Sequence, residues 1–80
     1  MTQAEHIHDA LRRLGEDGIT PAQALEWFGC FRLAARIADL KERLPRDEVI
    51  VNVGYTTPGG AHVARYVLRH RVPAQMELAL

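Results

Sequence analysis

Residues 20–40 read TPAQALEWFGCFRLAARIADL, two short helical patterns with WFGCF wedged between them. Thr20, Pro21 and Gln23 form a start signal: a capping hydroxyl, a proline at the first helical position, and a glutamine placed to return the cap. Ala24, Leu25 and Phe28 follow at helical spacing as an inner face, and Gly29 stops the segment after barely two turns. A second apolar repeat, Leu33, Ile37, Leu40 and Leu44, predicts a helix over 31–44. Pro45 ends it, because the residue before a proline avoids helical dihedrals. A short helix, a turn with a glycine and a longer helix make the helix-turn-helix pattern. Trp27, Phe28, Cys30 and Phe31 are bulky for a connection. The reading is that they plug one end of a small core, with at least Phe28 and Phe31 largely buried.

Upstream, Thr2 and Glu5 read as a capping box, and Ala4, Ile7, Ala10, Leu11 and Leu14 repeat as a helix that Gly15 closes. GEDG is a polar connection. Downstream, EVIVNV is rich in β-branched residues and predicts a strand. In TTPGG, Pro58 and Gly59 suit the centre of a type II turn. VARYVLR predicts a second strand pairing back on the first, with Ala64, Tyr66 and Leu68 on one face and Val63, Arg65, Val67 and Arg69 on the other. The expected fold is mainly α with a small β-hairpin: a winged helix-turn-helix of three helices plus a two-stranded wing over residues 1–72, followed by a flexible tail over 73–80. No internal repeat or low-complexity segment interrupts it.

Eighty residues with 48% hydrophobic and 25% charged content describe one ordinary globular domain. Cys30 is the single cysteine, so neither an internal disulfide nor a cysteine-pair metal site can form, and a reducing cytoplasm fits. Cys30 reads as a core residue and Trp27 as packing. The first residues lack the apolar run of a signal peptide, and no stretch has a membrane span's length. His6 and His8, two apart on a helix, face different ways and do not make a metal site. No Ser/His/Asp arrangement, catalytic carboxylate pair or phosphate loop is present, so neither enzyme activity nor a cofactor is expected.

Ten basic and ten acidic residues give zero net charge, which argues against a purely charge-driven nucleic-acid binder. Their distribution is uneven. Residues 1–30 set Arg12 and Arg13 against Glu5, Asp9, Glu16, Asp17 and Glu26, a net of −3; residues 31–80 have eight basic residues against Asp39, Glu42, Asp47, Glu48 and Glu77, a net of +3.

GITPAQALEWFGCFRLAARIADLKERL, followed by a hairpin containing HVARYVL, resembles the small helix-turn-helix proteins common in phage and prophage genomes. The resemblance lies in Ile19, Thr20, Pro21, Ala24 and Leu25, then Arg32 to Ile37, Asp39 and Leu40, with Tyr66 to Leu68 closing the domain. It implies a winged helix and contact with double-stranded DNA; the expected role is that of a non-enzymatic DNA-binding protein, a transcriptional regulator or a replication accessory factor. Ala24 lies five places before Gly29, where the usual motif has four, so the turn register differs.

On the 31–44 helix, Arg32, Arg36, Asp39 and Arg43 form a stripe one residue away from the leucine stripe. Ala34, Ala35 and Ala38 keep the helix slim. The expected DNA-reading set is therefore Arg32, Ala35, Arg36, Asp39 and Arg43, because arginine reads guanine edges in the major groove. Backbone amides near Thr20 and Gln23 would hold a phosphate. The 54–62 wing, through Thr56 and Thr57, and Arg65 and Arg69 would touch a second stretch of backbone, with His62 and His70 helping below neutral pH. A homodimer would pair two half-sites. Two other readings stand beside this one. An Asp39–Arg43 pair would make the stripe a solvated ion-pair face, and the strand VIVNV would give a protein-docking module an edge for pairing. The tail QMELAL resembles the motif by which bacterial replication proteins grip the sliding clamp, with Gln75, Met76, Leu78 and Leu80 as the partner-binding residues; as an alternative, it adds an edge strand or packs on the first helix.

Overall fold

The computed structural model describes residues 2–71. Three helices, α1 (Gln3–Leu14), α2 (Pro21–Phe28) and α3 (Leu33–Lys41), precede a bent hairpin of β1 (Glu48–Asn52), β2 (Tyr55–Thr56), β3 (His62–Val63) and β4 (Tyr66–His70). A single 3-10 turn, Gly15–Asp17, links α1 to α2.

Of the two expected capping boxes, the one at Thr20 forms in full and the one at Thr2 in half, with the Thr2 hydroxyl donating to Glu5 Oε1 instead of the Glu5 carboxylate accepting the Thr2 amide. The Thr2 hydroxyl oxygen accepts from the Glu5 amide, and α2 has a complete capping box in which Thr20 and Gln23 each accept the other's backbone N–H. The stops are also local: Gly15 and Gly29 cap α1 and α2 at positive φ. Ala4, Ile7, Ala10, Leu11, Ile19, Ala24, Cys30, Leu33, Ile37, Leu40, Ile50 and Leu68 form one core between the helices and one face of the hairpin.

The plug expected at WFGCF does not form. Cys30 is 2% exposed, and Phe28 packs half-buried on the core, but Trp27 is 47% exposed and Phe31 86%. Left-handed Gly29 turns the chain so that the Cys30 side chain enters the core while its amide bonds Ala24 O at 3.2 Å. The next inward residue is Leu33, so Phe31 and Arg32 are left pointing outward. Leu25, expected on the inner face of α2, is 43% exposed; Ala24, fully buried, and half-buried Phe28 hold that face.

α3 is shorter than the predicted 31–44. Arg32 is its N-cap, with φ −127° and ψ 65°, and no side chain caps it. It ends at Lys41; the Arg43 amide then closes a turn on Leu40 O, before Leu44 meets the restriction imposed by Pro45. Arg43 is therefore off the helix, and the expected Asp39–Arg43 pair is replaced by Arg36 Nη2 to Asp39 Oδ2 at 3.3 Å.

The hairpin is two ladders rather than one. β1 pairs antiparallel with β4 (Ile50 opposite Leu68), and β2 with β3 (Tyr55 opposite Val63). Between them Asn52 Oδ1 accepts from the amides of both Gly54 and Arg65, and Gly54 sits at φ 75°. A side chain thus shares the cross-strand bonding with the backbone pair Val53 N–H to Arg65 O (2.9 Å) where the two ladders part. At the tip, Gly60 N–H bonds Thr57 O at 2.8 Å, but the positive φ belongs to Gly60, not Gly59. The turn is therefore not the predicted type II, which needs positive φ at its third residue. Val67, on the strand face opposite Tyr66 and Leu68, is fully buried as well, because Gly18 lies against it and Ile19 bridges Tyr66 in both directions at 2.9 Å.

Glu48 is a buried carboxylate that sequence reading did not single out. It is 4% exposed at the start of β1 and accepts a two-point contact from Arg12, Nε to Oε2 and Nη2 to Oε1, both 2.9 Å, plus His8 Nε2 at 3.0 Å. The Arg12 hydrogen bonds lead in lowering its pKa to about 2, against the opposing effect of burial. A depressed carboxylate contributes stability above its unfolded pKa and loses it as pH falls through the folded one. Acid titration of the melting temperature should therefore show a loss between about pH 4.5 and pH 2, worth up to about 3 kcal/mol. The Glu48→Gln variant should be less stable at pH 7 and flatter over that window; equal acid slopes in both proteins would contradict the assignment.

Candidate nucleic-acid interface

α3 turns Leu33, Ile37 and Leu40 into the core. At 100° per residue its opposite side consists of Ala34, Ala35, Ala38 and Asp39, of which Ala34 and Ala38 are exposed and Ala35 and Asp39 half-buried. Nine residues make a rod about 13 Å long, and the alanines keep its outer surface thin enough for a major groove about 12 Å wide.

Arg32 leads this rod. It is exposed, and among the described residues no carboxylate pairs with it. Arg36 is committed differently: Asp39 holds Nη2, and its Nε is buried without a hydrogen-bond partner. Arg43 is exposed in the turn after the helix.

A groove of about 490 Å³ separates the start of α2 from the wing, lined by Thr20, Pro21, Ala22, Gln23, Tyr55, Thr57 and Val63. The structure thus brings Thr20, Gln23 and Thr57 to one groove, whose other lining residues, Pro21, Ala22, Tyr55 and Val63, are largely apolar. The capping box narrows what the helix end can offer, however. Pro21 has no N–H, the Thr20 and Gln23 amides serve each other's side chains, and the Ala24 amide bonds Thr20 O. Only the Ala22 amide remains for a phosphate. On the wing, Thr57 Oγ1 accepts from the Ala61 amide, and Thr56 Oγ1 lies 3.2 Å from His62 Nδ1, so the tip is internally braced.

Arg65 is half-buried, with Nε lacking a partner. Arg69 makes a forked contact with Glu16, Nε to Oε2 at 3.0 Å and Nη2 to Oε1 at 2.9 Å. These hydrogen bonds lower the Glu16 pKa and raise that of Arg69. Arg69 thereby ties β4 to the 3-10 turn, a role the sequence did not reveal, and would have to leave Glu16 to reach a phosphate. His70 faces Asp47 at 3.8 Å. Gln75, Met76, Leu78 and Leu80 lie outside the described residues.

Ion pairing explains how a chain of zero net charge keeps unpaired cations. Arg12 pairs with Glu48, Arg13 with Asp9, Arg36 with Asp39 and Arg69 with Glu16. Among the described residues, Arg32, Lys41, Arg43, Arg46, Arg65 and Arg71 have no carboxylate partner, and all lie after residue 30. No helix among the described residues is long and apolar enough to cross a membrane.

No curated protein and no solved structure matches the chain. Residues 2–71 match a family described as a winged helix-turn-helix domain, the same span that holds the three helices and the bent hairpin. A helix-turn-helix with a wing points to DNA as the partner. The chain belongs to the winged helix-turn-helix domain family.

Proposed function

We propose that the protein binds duplex DNA without catalysing a reaction, laying α3 in the major groove with Arg32 foremost. The start of α2 and the wing, which share one groove, then run along the neighbouring phosphates. The observation that carries this reading is the combination on α3 of an alanine outer surface with an exposed, unpaired arginine at its leading end. A solvated ion-pair face would need its cations matched along the helix, and only Arg36 is matched. The likeness of Ile19–Leu40 to phage and prophage proteins supports a role as transcriptional regulator or replication accessory factor inside a bacterial cell.

Titration of a labelled random-sequence duplex pool at several salt concentrations tests the proposal. Contact with about four to six phosphates should cost roughly 10²- to 10³-fold in affinity between about 50 and 200 mM salt. No binding at the lowest salt would refute it.

A further inference from the structure

Phe31 is the most exposed large apolar side chain among the described residues, at 86%. Its position is fixed from both sides. Cys30 before it is buried and bonded through its amide to Ala24 O, and Leu33 two residues on is buried as the first residue of α3. Between these anchors Arg32, the N-cap of α3 at φ −127° and ψ 65°, is neither helical nor extended, and Phe31 and Arg32 are both exposed at the leading end of the helix. The following outward residues, Ala34 and Ala35, are too small to shield the ring.

The bulky apolar neighbours in WFGCF are engaged elsewhere. Trp27 and Phe28 line grooves against α1, one with Ala10, Arg13 and Leu14 and another with Gln3 and His6, and Phe31 belongs to neither. A protein-docking patch needs contiguous apolar area, and a lone ring beside an arginine does not supply it. The major groove offers a target of matching size. Each base pair presents donors and acceptors there, and the C5 methyl of thymine is the apolar group among them.

We propose that Phe31 is a specificity-determining residue that packs its ring against the C5 methyl of a thymine, while Arg32 takes the polar edge of a neighbouring base. This rests on the duplex-DNA reading above and adds the base feature recognised: an A·T pair carrying its methyl group next to the arginine contact.

The test uses the full chain and a duplex selected by it from a random pool. Each thymine of that duplex is replaced in turn by deoxyuridine, which keeps every hydrogen-bonding group and lacks only the methyl. The wild type should weaken about four-fold at one or two positions, the worth of one buried methyl-sized group. The Phe31→Ala variant should bind the thymine duplex more weakly, should not distinguish thymine from uracil there, and should keep the wild-type salt slope, since no charge is lost. Its melting temperature should hold, because the ring contributes no core packing; Phe31→Leu should retain part of the discrimination. Equal wild-type affinity for thymine and uracil at every position, or a selected site without thymine, would overturn the methyl contact while leaving salt-dependent duplex binding intact. Loss of a dimer in Phe31→Ala on sedimentation would overturn it in favour of a subunit contact. Failure to bind any duplex would overturn both this contact and the reading beneath it.

Discussion

Replacing Gly18 with alanine should cost more stability than any other single methyl added to this chain. Gly18 sits at φ 66°, ψ −170°, a region open almost only to glycine, and a Cβ there would lie 2.5 Å from Tyr66 O and 2.7 Å from Val67 Cγ1. Neither neighbour can yield cheaply. Tyr66 O accepts the Ile19 amide in the bridge that closes the outer side of β4, and Val67 is fully buried. Backbone strain of about 1–3 kcal/mol adds to overpacking of about 1–3 kcal/mol. The sum is a large share of the roughly 5–15 kcal/mol that holds a typical domain. Thermal melting followed by circular dichroism should show the midpoint falling by more than about 10 °C. Gly15→Ala is the control: Gly15 also has positive φ, but nothing lies within 4 Å of its would-be Cβ, so only the conformational cost applies. Similar, small shifts in both variants would mean that the 15–19 connection is not packed against β4.

What the sequence made readable was local. The caps at Thr2 and Thr20 and the stops at Gly15 and Gly29 depend on residues within a few positions of each other, and the leucine stripe of α3 follows from its period alone. The misreadings share one cause: bulk and apolarity do not say which way a side chain points. In WFGCF, left-handed Gly29 gave the inward place to Cys30, and Phe31, expected to be largely buried, was left outside. On β4, Val67 is buried too, because the 15–19 connection covers the second face, a long-range fact. Glu48 did leave a signal. It has the same strand parity as buried Ile50, and His8 and Arg12 stand four apart on one face of α1, ready to receive a buried carboxylate. On the candidate interface the alanine face was readable, whereas the state of each arginine was not. That depended on α3 ending before Arg43 and on Glu16 approaching Arg69 across more than fifty residues of chain.

These differences reorder the arginines. The sequence treats Arg32 and Arg36 alike, but the structure leaves Arg32 unpaired and exposed and ties Arg36 to Asp39. Arg32→Ala should therefore cause the larger loss of duplex affinity, about 1–3 kcal/mol for a base-edge contact, or roughly five- to more than a hundred-fold. Its melting temperature should stay near that of the wild type, since the side chain makes no ion pair among the described residues. Arg36→Ala should cost less in binding, because that guanidinium must first be released from Asp39.

The decisive measurement is the affinity of the wild type and the Arg32→Ala/Arg36→Ala double variant for one selected duplex across a range of salt. If α3 enters the groove arginine-first, the folded double variant binds far more weakly, and its log-affinity against log-salt slope is shallower by about one to two. A folded double variant with the wild-type affinity and slope would show that DNA meets some other face of the domain.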